Sequence, residues 1–299
     1  MVEYQSIAAS AGQVGLYEPL YRPDQVSSSD LLIPLEMRDN SRPDWREFAI
    51  LVSMYKQGIH RRHAATGLIS PKFGLKSRVG LESFVAFVHA HVGDDVSFVN
   101  PFPQLAYWSY NVWMQGEHAH PGLGAAAQAL LDKVGIGWPL SSVPRHGQAT
   151  LAYCNFWAGS PEFWERYVGG VLVPIAEFLE DAPGDPVAQA VMRDTTHTDP
   201  APLLPFIVER LFSTFLSLHP ECKASAVPIE FEDALAHCVD EFERVIVRYM
   251  RQPVEFADAS GKPFGGDLLR QMDAMCALWQ QHFRDLYSLV PHPHTGRTI

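Results

Sequence analysis

The stretch Glu117-His118-Ala119-His120-Pro121 puts one carboxylate and two imidazoles within four residues. In a loop, a His-x-His pair can chelate a transition metal, and a Glu or His beside a substrate hydroxyl can act as a general base. The same three residues also read as polar positions beside a turn proline. A second cluster, Ser70-Pro71-Lys72-Phe73-Gly74-Leu75-Lys76, sets two lysines after a strand-like run and near Arg61 and Arg62. A local basic loop at a strand's end suits a phosphate. Asp94-Asp95 precedes the apolar run Val96–Val99, which ends at Asn100-Pro101. Asp95 could join His118 and His120 on a metal or serve only a turn. Asn100 sits where open α/β sheets bind ligands, at a strand's carboxyl end. Asn111, Gln115 and His118 are spaced to share one helix face beside many aromatic residues, an arrangement suited to sugar hydroxyls or to an ordinary exposed face. Glu209-Arg210 interrupts the apolar run Pro205–Phe212; a charged pair there is costly unless it is paired or functional.

These groups need elements to hold them. Pro34 restricts Leu31–Leu35 to an edge strand or an extended loop. Asp44 is expected to cap a helix over 45–57, ended by Gly58. A strand over 66–73, a helix over 80–92 and a strand over 95–99 follow, the alternation of an α/β unit. Helices are expected over 105–116 and 122–134, and a strand over 150–157. Ser160-Pro161 then opens another helix with a cap serine and a first-turn proline. The last hundred residues read as helices over 203–218, 231–249 and 267–289, with a tail from Pro291 that lacks periodicity and is expected to be mobile. The first forty residues read as loop-rich.

Composition narrows the function classes. The chain has 299 residues, a formal charge of −11 and 19% charged residues. That balance argues against a general nucleic-acid or anionic-membrane binder, but not against one basic pocket. Four cysteines without a CxxC pair read as reduced core residues. No GxGxxG, GxxxxGK[ST], GxSxG or HExxH occurs. No signal peptide or membrane-length apolar run is legible, so a cytoplasmic protein without an integral membrane segment is expected.

Six segments taken together carry a resemblance. Residues 31–48 (LLIPLEMRDNSRPDWREF), 67–76 (GLISPKFGLK), 94–103 (DDVSFVNPFP), 110–123 (YNVWMQGEHAHPGL), 153–167 (YCNFWAGSPEFWERY) and 205–212 (PFIVERLF) resemble bacterial glycosyltransferases of surface-polysaccharide clusters. Residues 153–164 (YCNFWAGSPEFW) and 209–212 (ERLF) are also similar to helical and strand elements of GT-A nucleotide-sugar transferases. The likeness spans roughly residues 20–215 and implies an α/β fold with a GT-A-like (Rossmann-like) central sheet, flanking helices and a mostly helical C-terminal part. The expected division is an α/β transferase domain at 1–220 with a helical extension at 221–299 packed on it. The resemblance implies a nucleotide-sugar donor and a saccharide or lipid-linked acceptor. GT-A enzymes commonly hold Mn²⁺ or Mg²⁺ on an acidic DxD motif, but Asn100-Pro101 stands where that motif is expected. Lys72, Lys76 or Arg210 would then neutralise the diphosphate. On this reading Glu117, His118 or Asp95 is the general base, Asn100, Asn111, Asn155 and Trp157 contact sugar or base, and Glu209 joins Arg210 at the donor. The rival readings are a metalloenzyme built on Glu117, His118 and His120, and a non-catalytic effector with a degenerate transferase fold.

Overall fold

A computed structural model describes residues 13–22, 24–37, 41–195, 201–293 and 296–299. Among the described residues, six strands form one mixed sheet in the order β2-β1-β3-β5-β4-β8. They are β1 (Val14–Leu20), β2 (Ile33–Glu36), β3 (Ala65–Leu68), β4 (Val96–Phe98), β5 (Trp157–Gly159) and β8 (Ala224–Ala226). A separate two-stranded ribbon pairs β6 (Asp194–Thr195) with β7 (Ala201–Pro202). β1 runs parallel to both β2 and β3, and β4 parallel to β8, while β5 is antiparallel to β3 and to β4. The sheet is therefore parallel except for one reversed strand, β5. Pro34 lies on the edge strand β2, where its missing N–H costs no ladder bond.

The sheet buries both faces. Leu16, Ile69, Val99 and Phe156 face one cluster with Phe73, Phe84 and Val88, contributed by the helices α2 (Phe73–Ser77) and α3 (Leu81–Ala90). Tyr17, Leu68, Phe98 and Trp157 face the larger cluster, so neighbouring strand residues alternate between faces. α1 (Glu47–Lys56), α4 (Leu105–Trp108), α5 (Val112–Ala119), α6 (Leu123–Lys133), α7 (Pro161–Trp164), α8 (Val173–Asp181), α9 (Pro186–Val191) and α10 (Leu203–Leu218) build that larger layer. A π-helical stretch, Glu165–Leu172, joins α7 to α8. α10 is its centre: Phe212 stacks on Trp157 at 5.8 Å and 11°, and Phe215 meets Phe163 and Tyr167 edge-on or tilted. Gly67 is required at the β3–β5 junction, because a Cβ there would lie 2.4 Å from the Trp157 carbonyl oxygen.

The region after residue 220 completes this body. β8 adds the sheet's last strand, and α11 (Phe231–His237), α12 (Glu241–Ser260) and α13 (Gly266–Tyr287) follow. α12 and α13 pack on α4, and α13 also packs on α5.

Several elements differ from the sequence reading for local reasons. β1 lies in the segment read as loop-rich; its buried Glu18 is satisfied by Ser27 Oγ at 2.8 Å and the Ser28 N–H at 2.7 Å. Asp44 does not cap α1, since Pro43–Trp45 forms a 3₁₀ turn and Arg46 intervenes at φ 50°. The helix expected over 105–116 breaks at Ser109–Asn111, where Asn111 caps α5. Residues 150–156 are irregular and only β5 pairs. The helix expected over 231–249 breaks at Cys238–Asp240 because Asp240 caps α12 through the Glu243 N–H. Ser160 caps α7 as expected. The tail folds back: the Ile299 N–H donates to Tyr287 O, and the His292 ring lies 4.6 Å from that of Tyr287.

Candidate functional site

A cavity of ≈ 230 Å³ opens at the carboxyl end of the parallel strands. The carboxyl ends of strands are where open α/β sheets bind ligands. The loop and short helix after β3 bring Lys72, Lys76 and Arg78 to the wall, and the segment after β4 brings Pro101 and Phe102. Because β5 is reversed, its entry segment arrives at the same edge and adds Tyr153 and Cys154. α10 supplies Phe206, Glu209 and Arg210, α5 supplies Gln115, and Arg46 enters from the turn before α1. An adjoining hollow of ≈ 80 Å³ shares Arg46, Lys76, Cys154, Phe206 and Glu209 and adds Glu47, Ser70 and Asn155.

Charge is the cavity's main property. Arg210 is 2% exposed and donates to Val112 O at 3.0 Å, Phe206 O at 2.7 Å and Gln115 Oε1 at 2.5 Å. All three acceptors are neutral, so these bonds anchor the guanidinium without cancelling its charge. Gly116 makes room for it: a Cβ there would lie 2.5 Å from Arg210 Nε. Lys76 donates to Cys154 Sγ at 3.2 Å. Burial pushes the Cys154 thiol up to about 12, so it is a protonated acceptor at neutral pH. Lys72 and Arg78 reach the cavity from its exposed side with no carboxylate partner among the described residues.

The backbone is strained at the same place. Among the described residues, the non-glycine positions with left-handed or otherwise positive φ are Arg46, Arg78, Cys154 and Asn155, and all four line the cavity or its side hollow. Such conformations cost about 1–3 kcal/mol each and persist where the surroundings enforce them, commonly at ligand sites. Two wall residues also hold buried polar atoms with no protein partner: Tyr153 Oη and Gln104 Oε1. Burial raises the Tyr153 phenol, which stays a neutral donor.

The residues singled out from sequence divide sharply. Lys72, Lys76, His120, Glu209 and Arg210 meet at the cavity, and Asn155 lines the hollow. Glu209 and Arg210 do not pair with each other; Glu209 Oε1 accepts the Cys154 N–H at 2.7 Å. Glu117, His118 and Asp95 lie outside both walls. Glu117 instead accepts the Gly122 and Gly124 N–H groups at the start of α6, and His118 Nε2 bonds Asp273 at 2.8 Å. Asp95 sits at the opposite end of β4 and accepts the Lys223 N–H at 2.8 Å. Asn100 and Asn111 spend their carbonyls on backbone N–H groups of Phe102, Trp113 and Met114, and Trp157 is buried in the core. Arg46, Arg78, Tyr153 and His237 carried no sequence signal, because each reaches the cavity from a different element.

The donor set does not fit Mn²⁺ or Mg²⁺, which take several oxygen ligands. Cations surround Glu209, and Glu243 commits both oxygens to the Val239 N–H and the Trp279 Nε1–H, each at 2.8 Å. Glu117, His118 and His120 turn to three different partners: backbone of the α6 start, Asp273 and Thr195. Among the described residues no group of three His, Cys, Asp or Glu side chains could hold a metal ion. No helix of the described residues is long and apolar enough to cross a membrane. Compared with known protein families, curated proteins and solved structures, the chain matches none.

Proposed function

We propose that the chain is a glycosyltransferase that takes a nucleotide-sugar donor in this cavity. The observation that carries the reading is the convergence of Arg46, Lys72, Lys76, Arg78, Arg284 and the buried Arg210 on one cavity at the carboxyl end of the parallel strands. In a chain of net charge −11, six cations at one concave site select an anion. A nucleoside diphosphate matches the remaining chemistry. Phe102, Tyr153 and Phe206 offer faces for a base, and the lysines and arginines neutralise a leaving diphosphate without a divalent ion. The mainly parallel sheet with helices on both faces agrees with a GT-A-like architecture. The acceptor is a saccharide or a lipid-linked saccharide, as in surface-polysaccharide or glycoconjugate synthesis. Glu209 is then the wall carboxylate assigned to take the acceptor hydroxyl's proton; Glu117 and His118 lie too far out of the walls for that role.

The test is a thermal-shift and turnover panel of nucleoside diphosphates and nucleotide-sugars, run with and without EDTA. A ligand at 100 times its Kd stabilises the fold by about 2.7 kcal/mol. One nucleotide is expected to raise Tm in EDTA, and its sugar conjugate to release nucleotide when acceptor is added. Absence of a shift with every nucleotide overturns the reading. Binding without turnover on any acceptor supports the effector alternative.

A further inference from the structure

His237 ends α11, is 8% exposed, and forms part of the cavity wall. Its Nδ1 lies 2.8 Å from Asp233 O, and its Nε2 lies 3.0 Å from Ser77 O. Both neighbours are backbone carbonyl oxygens, which only accept. A neutral imidazole carries one N–H, so one of its nitrogens would then point a lone pair at a carbonyl lone pair. Two donated bonds require two N–H groups and a positive ring. The Ser77 side favours that charge further: Ser77 is the last residue of α2, so its carbonyl lies at a helix C-terminus.

His146 shows the opposite wiring in the same molecule. Its Nδ1 accepts the Val112 N–H at 3.3 Å, and burial pushes it down to about 3, so it is neutral. The contrast comes from the partners, since both rings are buried.

We propose that His237 is a positioning residue for the anion site: a doubly protonated imidazolium that ties the C-terminus of α2 to α11. Through Ser77 it fixes the helix end that carries Lys76 and Arg78, and it adds its own charge to the wall. Loss of the Nε2 proton removes the bond to Ser77 O and loosens the link between the two helices. The anion affinity of the cavity therefore falls as pH rises and His237 loses that proton. The other charged groups around this wall are Lys76 and Arg78 beside Ser77, Asp233 on the same helix, Glu243 on α12, Arg284 on α13, Glu209 and Arg210 on α10, and His120 and His292. The inference rests on the reading of the cavity as an anion site, and it does not require sugar transfer.

The test uses inorganic diphosphate as the probe on the full chain. Titration calorimetry from about pH 6 to about pH 9 is expected to show affinity falling several-fold. In His237→Gln, whose amide can still donate to one carbonyl, that His237-dependent part of the fall is expected to vanish, with Tm within a few degrees of the parent. Nitrogen-detected NMR of the histidine rings gives a second readout, in which two protonated nitrogens are expected for His237 at about pH 6 and one for His146. A neutral His237 ring at that pH overturns the proposal. So does an unchanged pH profile in His237→Gln, which would assign the titration to His120 or His292. Failure of the nucleotide panel with success of these measurements would leave the anion site standing and remove only the transferase reading.

Discussion

At the amino end of β4, Asp94 and Asp95 have partners from the segment that forms β8: Ser225 Oγ at 2.6 Å and the Lys223 N–H at 2.8 Å. At the carboxyl end of the same sheet, six cations surround a hollow, four backbone positions are strained, and Tyr153 and Gln104 keep buried polar atoms without partners. Both ends hold charge, but only one leaves its hydrogen-bonding capacity open. A satisfied polar cluster has done its work once the chain is folded. An unsatisfied one at a concave surface is finished only when something binds.

Arg210 is where this contrast is most exposed to refutation, because it serves both roles. Arg210→Met is expected to leave the buried Gln115 Oε1 without its donor and to cost roughly 1–3 kcal/mol of stability, read by chemical unfolding. It should also abolish anion binding. A variant that binds diphosphate normally would show that the guanidinium is structural alone. Lys76→Met removes a charge-assisted contact worth about 1.5–3 kcal/mol, so nucleotide affinity should fall ~10- to 100-fold by calorimetry. Lys72 is exposed, and Lys72→Ala should cut affinity about 10-fold while stability moves by no more than about 0.5 kcal/mol. Asp95→Asn at the other end should do the reverse, with a loss of ~1 kcal/mol in stability and unchanged affinity. Equal effects of Lys72→Ala and Asp95→Asn on binding would erase the distinction between the two ends.

The smallest expected effect belongs to a third charged cluster, on the outer side of the π-helical stretch. Glu165 accepts from Tyr55 and Arg61 and faces His60, and these bonds hold its carboxyl down at about 2. Its folded-state value lies below the ordinary 4.5, so its stabilising contribution is whole above that pH and is lost as pH falls toward about 2. Glu165→Gln should flatten the acid limb of Tm against pH in that window and leave nucleotide affinity untouched. An unchanged limb would mean that water screens the cluster more than its geometry implies.

The local elements were legible where local chemistry decides them. Ser160-Pro161 announced α7, the apolar spacing over 203–218 announced α10, and Pro34 announced an edge position. Lys72 and Lys76 were readable as a basic loop after a strand because strand and loop are adjacent in the chain. Glu117 and His118 misled because type and spacing do not reveal which atoms a side chain will meet. Glu117 caps α6 and His118 finds Asp273, 155 residues away in sequence. β1 escaped notice because its Glu18 and Pro19 look wrong for a central strand until Ser27 and Ser28 close over the carboxylate.

Composition, periodicity and caps thus determined by themselves the α/β class, most helix positions and one lysine-bearing loop, since each depends on neighbours within a few residues. Tertiary structure alone decided that β5 runs backwards and delivers Tyr153 and Cys154 beside Lys76. It also brought Arg46, Arg78, Arg210 and His237 from four other parts of the chain to one wall. A pocket's charge is a sum over residues distant in sequence, and the strain at Arg46, Cys154 and Asn155 is enforced by packing that no local propensity encodes.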